Sequence, residues 1–212
     1  MPHLTVIAGV NGTGKSSFRG VLTGLGVELG TIIDADQIAR TEQLTDLEAG
    51  RKAVHLSDMC LSYKKTFMLE TTLSGARIPR LMRQAKAAGY QVSMYYIGLN
   101  SEQESIVRIS NRVQHGGHNI PSADVIRRFE RRGPSLAKAL PYCDNVYFFD
   151  NTNGFEKIAE WDGRYLHMMV DNVPQWMVDI SPFVTSAQVT EHHVDSSQRR
   201  LDPTRKKEDL EL

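Results

Sequence analysis

Short apolar runs alternate along this chain with stretches whose apolar residues recur every three or four positions. Leu4 to Ala8, Thr31 to Asp34, Thr66 to Glu70, Val92 to Gly98 and Asn145 to Asp150 are runs of the first kind. Four of the five are almost continuously apolar, as suits strands covered on both faces of a parallel sheet. Between them, Phe18, Leu22 and Leu25 form one helical stripe, and Ile78, Leu81, Met82 and Ala85 another. Ile106, Ile109 and Val113 form a third, and Val125, Ile126 and Phe129 a fourth. Strand alternating with helix predicts an α/β fold, a doubly wound parallel sheet of about five strands. Residues 151 to 184 contain Trp161, Pro174 and Trp176 and read as an edge strand with a closing segment. From Thr185 onward large apolar residues thin out, so residues 1–184 are expected to form one domain and 185–212 a disordered or helical tail.

The first strand and helix enclose GVNGTGKSS, residues 9 to 17, which satisfies the phosphate-loop (Walker A) pattern G-x-x-x-x-G-K-[ST] in full. Gly9, Gly12 and Gly14 let the backbone curl so that successive N–H groups, from Asn11 and Thr13 through Ser17, face one anion-sized concavity. Lys15 brings a compact positive charge to the β- and γ-phosphates, and the Ser16 hydroxyl suits Mg²⁺. Strand, glycine loop, amphipathic helix is the context that gives the pattern its meaning, with phosphate also favoured by the helix N-terminus. ATP and Mg²⁺ are therefore the expected cofactors.

Composition narrows the partners. Of 212 residues, 25 are basic and 25 acidic, so the balanced charge argues for neither nucleic acid nor membrane as partner. Cys60 and Cys143 lie in or beside apolar runs without a C-x-x-C pair, which predicts buried free thiols. No charged-then-apolar leader and no 18-residue apolar stretch is seen, and a cytoplasmic location is expected.

Phosphoryl transfer also needs a base for the acceptor and cations for the moving charge. Asp34 and Asp36 end the second strand, where carboxylates face the ligand crevice of an open sheet. Either can take a proton from a hydroxyl, while Asp36 can equally cap the helix that follows. Glu70, Thr71 and Thr72 end the third strand and suit substrate hydroxyls, a metal-bound water, or capping. Arg108 and Arg112 are expected on a helix face opposite the stripe of Ile106, Ile109 and Val113, and Arg127 and Arg131 repeat the pattern. QHGGHNIP (residues 114 to 121) joins the two helices, and the pair reads as a helical lid that closes cations over phosphates. His115 and His118 lack further ligands at metal spacing, so structural or substrate-edge roles are expected.

Together, GVNGTGKSS, IIDADQIA, FMLETTLSG, GYQVSMYYIGL, RISNRVQHGGHNIP, VIRRFERR and YFFDN resemble the short, single-domain branch of the zeta-toxin family of phosphate-loop kinases, over roughly residues 4 to 151. The resemblance implies transfer of the γ-phosphate of ATP to a hydroxyl of a nucleotide sugar such as UDP-N-acetylglucosamine, and restraint by an antitoxin protein. It implies that Lys15 and Ser16 serve ATP and Mg²⁺, and that Asp36 is the base. Glu70, Thr71 and Thr72 match the sugar-nucleotide contact segment; Arg112 and one of Arg127 or Arg128 match the arginines on the transferring phosphate. Ser135-Leu136 replaces the family's usual Asn-Leu, and Gly133-Pro134 breaks the preceding helix. A kinase for a nucleoside or a nucleic-acid end, or an ATP-dependent switch, is the alternative; the [NT]-K-x-D segment of a GTPase is absent.

Overall fold

A computed structural model describes residues 1–115, 119–185 and 189–191. All five predicted strands are present: β1 (His3–Ala8), β2 (Thr31–Ile33), β3 (Phe67–Thr71), β4 (Gln91–Gly98) and β5 (Asn145–Asp150). They run parallel in the order β2-β3-β1-β4-β5. The sheet is larger than expected. β6 (Glu156–Trp161) and β7 (Leu166–Met168) continue it as antiparallel neighbours of β5, making seven strands, and a three-residue eighth, β8 (Val189–Glu191), pairs parallel to β7. Residues 151–184 thus hold two strands where the sequence predicts one edge strand, and β6 is flanked on both sides although only three of its six residues, in a charged sequence (EKIAEW), are buried. β8 also corrects the expectation of a wholly disordered or helical tail; the rest of 185–212 lies, but for Thr185, outside the described residues.

The helices are α1 (Lys15–Gly24), α2 (Ala35–Glu42), α3 (Asp46–Ser62), α4 (Arg77–Ala87), α5 (Glu102–Gln114), α6 (Ser122–Glu130), α7 (Arg132–Ala139) and α8 (Gln175–Val184). Local chemistry starts several of them. Thr45 and Glu48 form a capping box at α3, and Ser101 caps α5 by accepting from the Glu104 N–H at 3.2 Å. Alternation along β1 splits the core between two faces. Leu4, Val6 and Ala8 join the larger cluster with α3, α4, α7 and α8, while Ile7 points to a smaller one with Phe18 and Leu22 of α1, Met68, Ile97 and Phe149. Cys60 and Cys143 are buried free thiols, and burial pushes the Cys143 thiol far above its ordinary range. Among the described residues no helix is long and apolar enough to cross a membrane.

The segment after β5 closes the larger core. Trp176 of α8 is fully buried against Gly98, where an added Cβ would overlap the indole ring. Its Nε1–H donates to Asp150 Oδ1 at 2.7 Å, and Asp150 also accepts from the N–H and hydroxyl of Thr152. A buried carboxylate so satisfied fixes the path of the chain as it leaves the sheet. Because Trp176 fills this space, Trp176→Ala is expected to lower the unfolding free energy by about 3–5 kcal/mol in urea titrations. Val178→Ala, on the outer side of the same helix, should change it by no more than about 0.5 kcal/mol.

Candidate active site

Every parallel strand ends on the same edge of the sheet, so the segments that follow β1 to β5 converge there. The loop after β1 is shaped by what surrounds it. Gly9, Gly12 and Gly14 have φ of 146°, 78° and 91°, in the region that side chains disfavour. Space is as restrictive as conformation: a Cβ on Gly9 would overlap the Ile97 carbonyl oxygen, one on Gly12 would come 2.7 Å from the Ser105 carbonyl oxygen, and one on Gly14 2.5 Å from Asn151 Nδ2. Thr13, wholly buried, donates its hydroxyl to the Val10 carbonyl at 3.0 Å. Asn151 Nδ2 donates to the Thr13 carbonyl at 2.9 Å, tying the loop to the end of β5.

A cleft of about 180 Å³ opens beside this loop. It is lined by Asn11, Gly12, Gly14, Lys15, Ser16 and Ser17 of the loop and the start of α1, by Asp36 and Glu70, and by Arg108, Ile109 and Arg112 of α5. Lys15 Nζ donates to the Gly9 and Val10 carbonyls at 2.9 and 3.0 Å. Burial lowers its pKa to about 8, against the pull of Glu70, Asp36 and Asp34 and with a smaller push from Arg112. Ser16 Oγ donates to Glu70 Oε2 at 2.9 Å. Burial, and after it the Asp34 carboxylate, raise the Glu70 pKa, with Arg19, Ser16 and Lys15 opposing.

Of the two roles weighed for Asp36, base and helix cap, the cap falls to the other aspartate of IIDAD. Asp34 is the cap: its Oδ1 accepts from the Asp36 and Gln37 N–H groups at 3.0 and 3.2 Å. Asp34 is buried, and its Oδ2 is held by Arg19 at 3.1 Å, so it does not line the cleft. Asp36, in the first turn of α2, is exposed and does line it. Thr71 Oγ1 accepts from the Leu73 N–H at 2.9 Å, and the Thr72 and Ser74 hydroxyls pair at 2.9 Å.

The arginines also sort themselves. α5 packs on the phosphate loop through Ser105 and Ile109, so Arg108 and Arg112 share the cleft with Ile109 instead of lying opposite it. At about 100° per residue, position 112 sits next to 105 and 109 on the helix. Arg108 Nη2 is anchored by Glu104 at 2.6 Å and the Asn151 carbonyl at 2.7 Å. From α6 it is Arg128 that reaches the loop, donating to Asn11 Oδ1 at 2.6 Å. Arg127 is not brought to the cleft; it pairs with Asp124 at 2.8 Å, and over half of its side chain is exposed. The face that α6 buries carries Val125 and Phe129, and Arg127 turns outward from it. His118 and the Gly116-Gly117 pair lie outside the described residues. Sequence reasoning missed Arg19, three residues after Ser16 on α1, and Asn151, directly after the fifth apolar run; both positions were readable from the motif and the strand end.

The site suits a nucleotide: glycines at positive φ let the loop curl tightly against β4, α5 and Asn151, with Lys15 and Ser16 lining the cleft beside it. For Mg²⁺ the oxygen donors are Ser16, with Glu70 and Asp36 nearby. Among the described residues there is no group of three or more His, Cys, Asp or Glu that could hold a metal.

A model of the family described as Zeta toxin matches residues 28–153, more than half of the chain. The phosphate loop lies outside that span and is an independent observation. A protein of Haemophilus influenzae, described as uncharacterised, is 37% identical over 124 residues, covering 56% of this chain and 86% of that one. Solved structures share the fold. The AvrRxo1-ORF1:AvrRxo1-ORF2 structure with sulphate ions matches at a TM-score of 0.63 and 16% identity, over 89% of this chain and 66% of that one. A structure of the PezAT chromosomal toxin–antitoxin system of Streptococcus pneumoniae matches at 0.54 and 15%, over 73% and 70%.

The lowered Lys15 pKa yields a prediction with a definite sign. Phosphate favours the ammonium form, which the free protein loses as pH rises through about 8. Affinity for ATP in buffer without divalent metal should therefore weaken above that pH, by up to about tenfold per unit, since each pKa unit is about 1.4 kcal/mol. Calorimetry in buffers of different ionisation enthalpy should show proton uptake on binding near pH 8.5, and Lys15→Met should abolish it.

Proposed function

The chain belongs to the zeta toxin family of phosphate-loop kinases, and on that premise we propose that it transfers the γ-phosphate of ATP to a hydroxyl of a nucleotide sugar, of the UDP-N-acetylglucosamine kind. One observation carries the reading: Lys15 and Ser16 of the phosphate loop line the same cleft as an exposed carboxylate, Asp36, and as Arg108 and Arg112. That is a donor site, a base and cations around one small volume.

Lys15 exchanges its two loop carbonyls for phosphate oxygens, a trade of weak acceptors for charged ones. Asp36 accepts the acceptor's hydroxyl proton as the oxygen bonds to the γ-phosphorus and the bond to the ADP oxygen breaks. Arg112 and Arg128 meet the charge on the moving phosphoryl group, where fixed cations in a water-poor cleft act strongly. Ser16 would hold Mg²⁺, whose charge would offset that of the phosphates. Glu70, Thr71, Thr72 and Ser74, at and beyond the end of β3, offer a carboxylate and hydroxyls for an acceptor rich in hydroxyl groups. A cytoplasmic setting and a restraining protein partner go with this reading; the PezAT structure is described as that of a toxin–antitoxin system.

The direct test incubates the protein with ATP, Mg²⁺ and a panel of nucleotide sugars, nucleosides and 5′-hydroxyl oligonucleotides, with mass spectrometry for an added phosphate. Phosphate on a nucleotide sugar alone is the expected result; phosphate on another class moves the acceptor, and none on any class overturns the reading. Asp36→Asn should remain folded and bind ATP as the parent does, while transfer falls on the order of 10² to 10⁴-fold. Arg112→Ala should lower kcat far more than Arg127→Ala, because only Arg112 lines the cleft; equal effects would show that α6 brings Arg127 inward during turnover.

A further inference from the structure

Behind the cleft, one guanidinium holds two carboxylates. Arg19 Nη1 lies 3.1 Å from Asp34 Oδ2 and 2.8 Å from Glu70 Oε1, with both acids only 6% exposed. Each acid uses its other oxygen on the reaction side. Asp34 Oδ1 caps α2 and so sets the first turn that carries Asp36. Glu70 Oε2 accepts from the Ser16 hydroxyl. Arg19 does not line the cleft itself; it borders a separate cavity of about 220 Å³ with Ile32, Asp34, Gln37, Ile38 and Thr41. On α1 it sits three residues after Ser16, and therefore on the same helix face.

We propose that Arg19 is a positioning residue of the reaction: a clamp from α1 that holds the ends of β2 and β3 together and thereby aims Glu70 at Ser16 and α2 at the cleft. The inference rests on the kinase reading for its consequence in catalysis, and on geometry alone for the clamp. The physical need is plain. Two nearly buried carboxylates side by side repel, and without a cation between them at least one must turn to solvent. Lys15 donates to two loop carbonyls and is ion-paired with neither acid. Arg19 is that cation, through one nitrogen, Nη1, which hydrogen-bonds Asp34 Oδ2 and is ion-paired with Glu70 Oε1. Whichever acid turned away would release either the cap of α2 or the hold on Ser16, and misplacement of a reacting group by about 1 Å can cost on the order of 10²-fold in rate.

The test compares the parent with Arg19→Gln and Arg19→Lys by crystal structure and by steady-state kinetics. In Arg19→Gln, Glu70 is expected to leave Ser16 or Asp34 to leave the helix cap. kcat should fall about 10- to 10²-fold, with KM for ATP within about threefold. Arg19→Lys, which keeps a cation between the two acids without the planar guanidinium, should recover part of kcat. Should Arg19→Gln fail to fold, Arg19→Gln in a Glu70→Gln background removes the excess charge and should fold, with kcat close to that of Glu70→Gln alone. Both acids unmoved in Arg19→Gln, or a lower melting temperature with unchanged kcat per folded molecule, would overturn the clamp. So would a double variant that loses as much again as Arg19→Gln does alone. If the parent phosphorylates no acceptor, the kinase reading fails by itself, and the crystal structures still decide the clamp.

Discussion

Three positions in the phosphate loop have no room for a side-chain carbon, and the site is arranged around that constraint. Gly9 lies under the end of β4, Gly12 against α5 and Gly14 against Asn151. The loop is thus enclosed by the elements that supply the rest of the cleft. Its curl presents N–H groups and its lysine to one side, and α5 must cross close over Gly12 to place Arg108 and Arg112 there. A methyl group at any of the three would both strain the backbone and push a wall of the site outward.

Electrostatics are concentrated in a molecule of balanced overall charge. Lys15, Arg108, Arg112 and Arg128 approach the loop from two helices and the loop itself, while Asp34, Asp36 and Glu70 approach from two strand ends. The acids are not equivalent. Asp34 and Glu70 are committed to Arg19 and to structural donors, which leaves Asp36 as the exposed carboxylate in the cleft. Burial separates their roles more than position along the chain does. The far end of the fold contributes as well: Trp176 of α8 holds Asp150, Asp150 holds Thr152, and the Asn151 between them holds the phosphate loop. Helix and loop belong to different ends of the chain, and the link is a run of satisfied buried polar groups.

The parallel sheet, the loop with its glycines and the two arginine-bearing helices were legible because each rests on local rules. Continuous apolar runs mark strands covered on both faces, and positive-φ loops demand glycine. Family membership was legible for the same reason, since ETTLSG and the Arg-Val to Ile-Pro segment are contiguous. The antiparallel extension through β6 and β7 was legible only as one edge strand, because β6, though flanked by β5 and β7, is half-buried and charged and lacks the apolar run of the parallel strands.

What the sequence by itself determined was the chemistry available: a phosphate loop, a carboxylate pair after β2, hydroxyls after β3 and arginines on α5 and α6. Only the tertiary structure decided which of those groups meet. Asp34 rather than Asp36 caps α2, because its oxygen is the one that falls over the first-turn N–H groups. Arg128 rather than Arg127 reaches Asn11, because Val125 and Phe129 fix the roll of α6. Arg108 and Arg112 share a face with Ile109, because the side of α5 that lies against the loop at Gly12 is also the side that lines the cleft. Helical periodicity gives the angle between neighbours on one helix, whereas the direction in which that helix turns depends on partners distant in sequence.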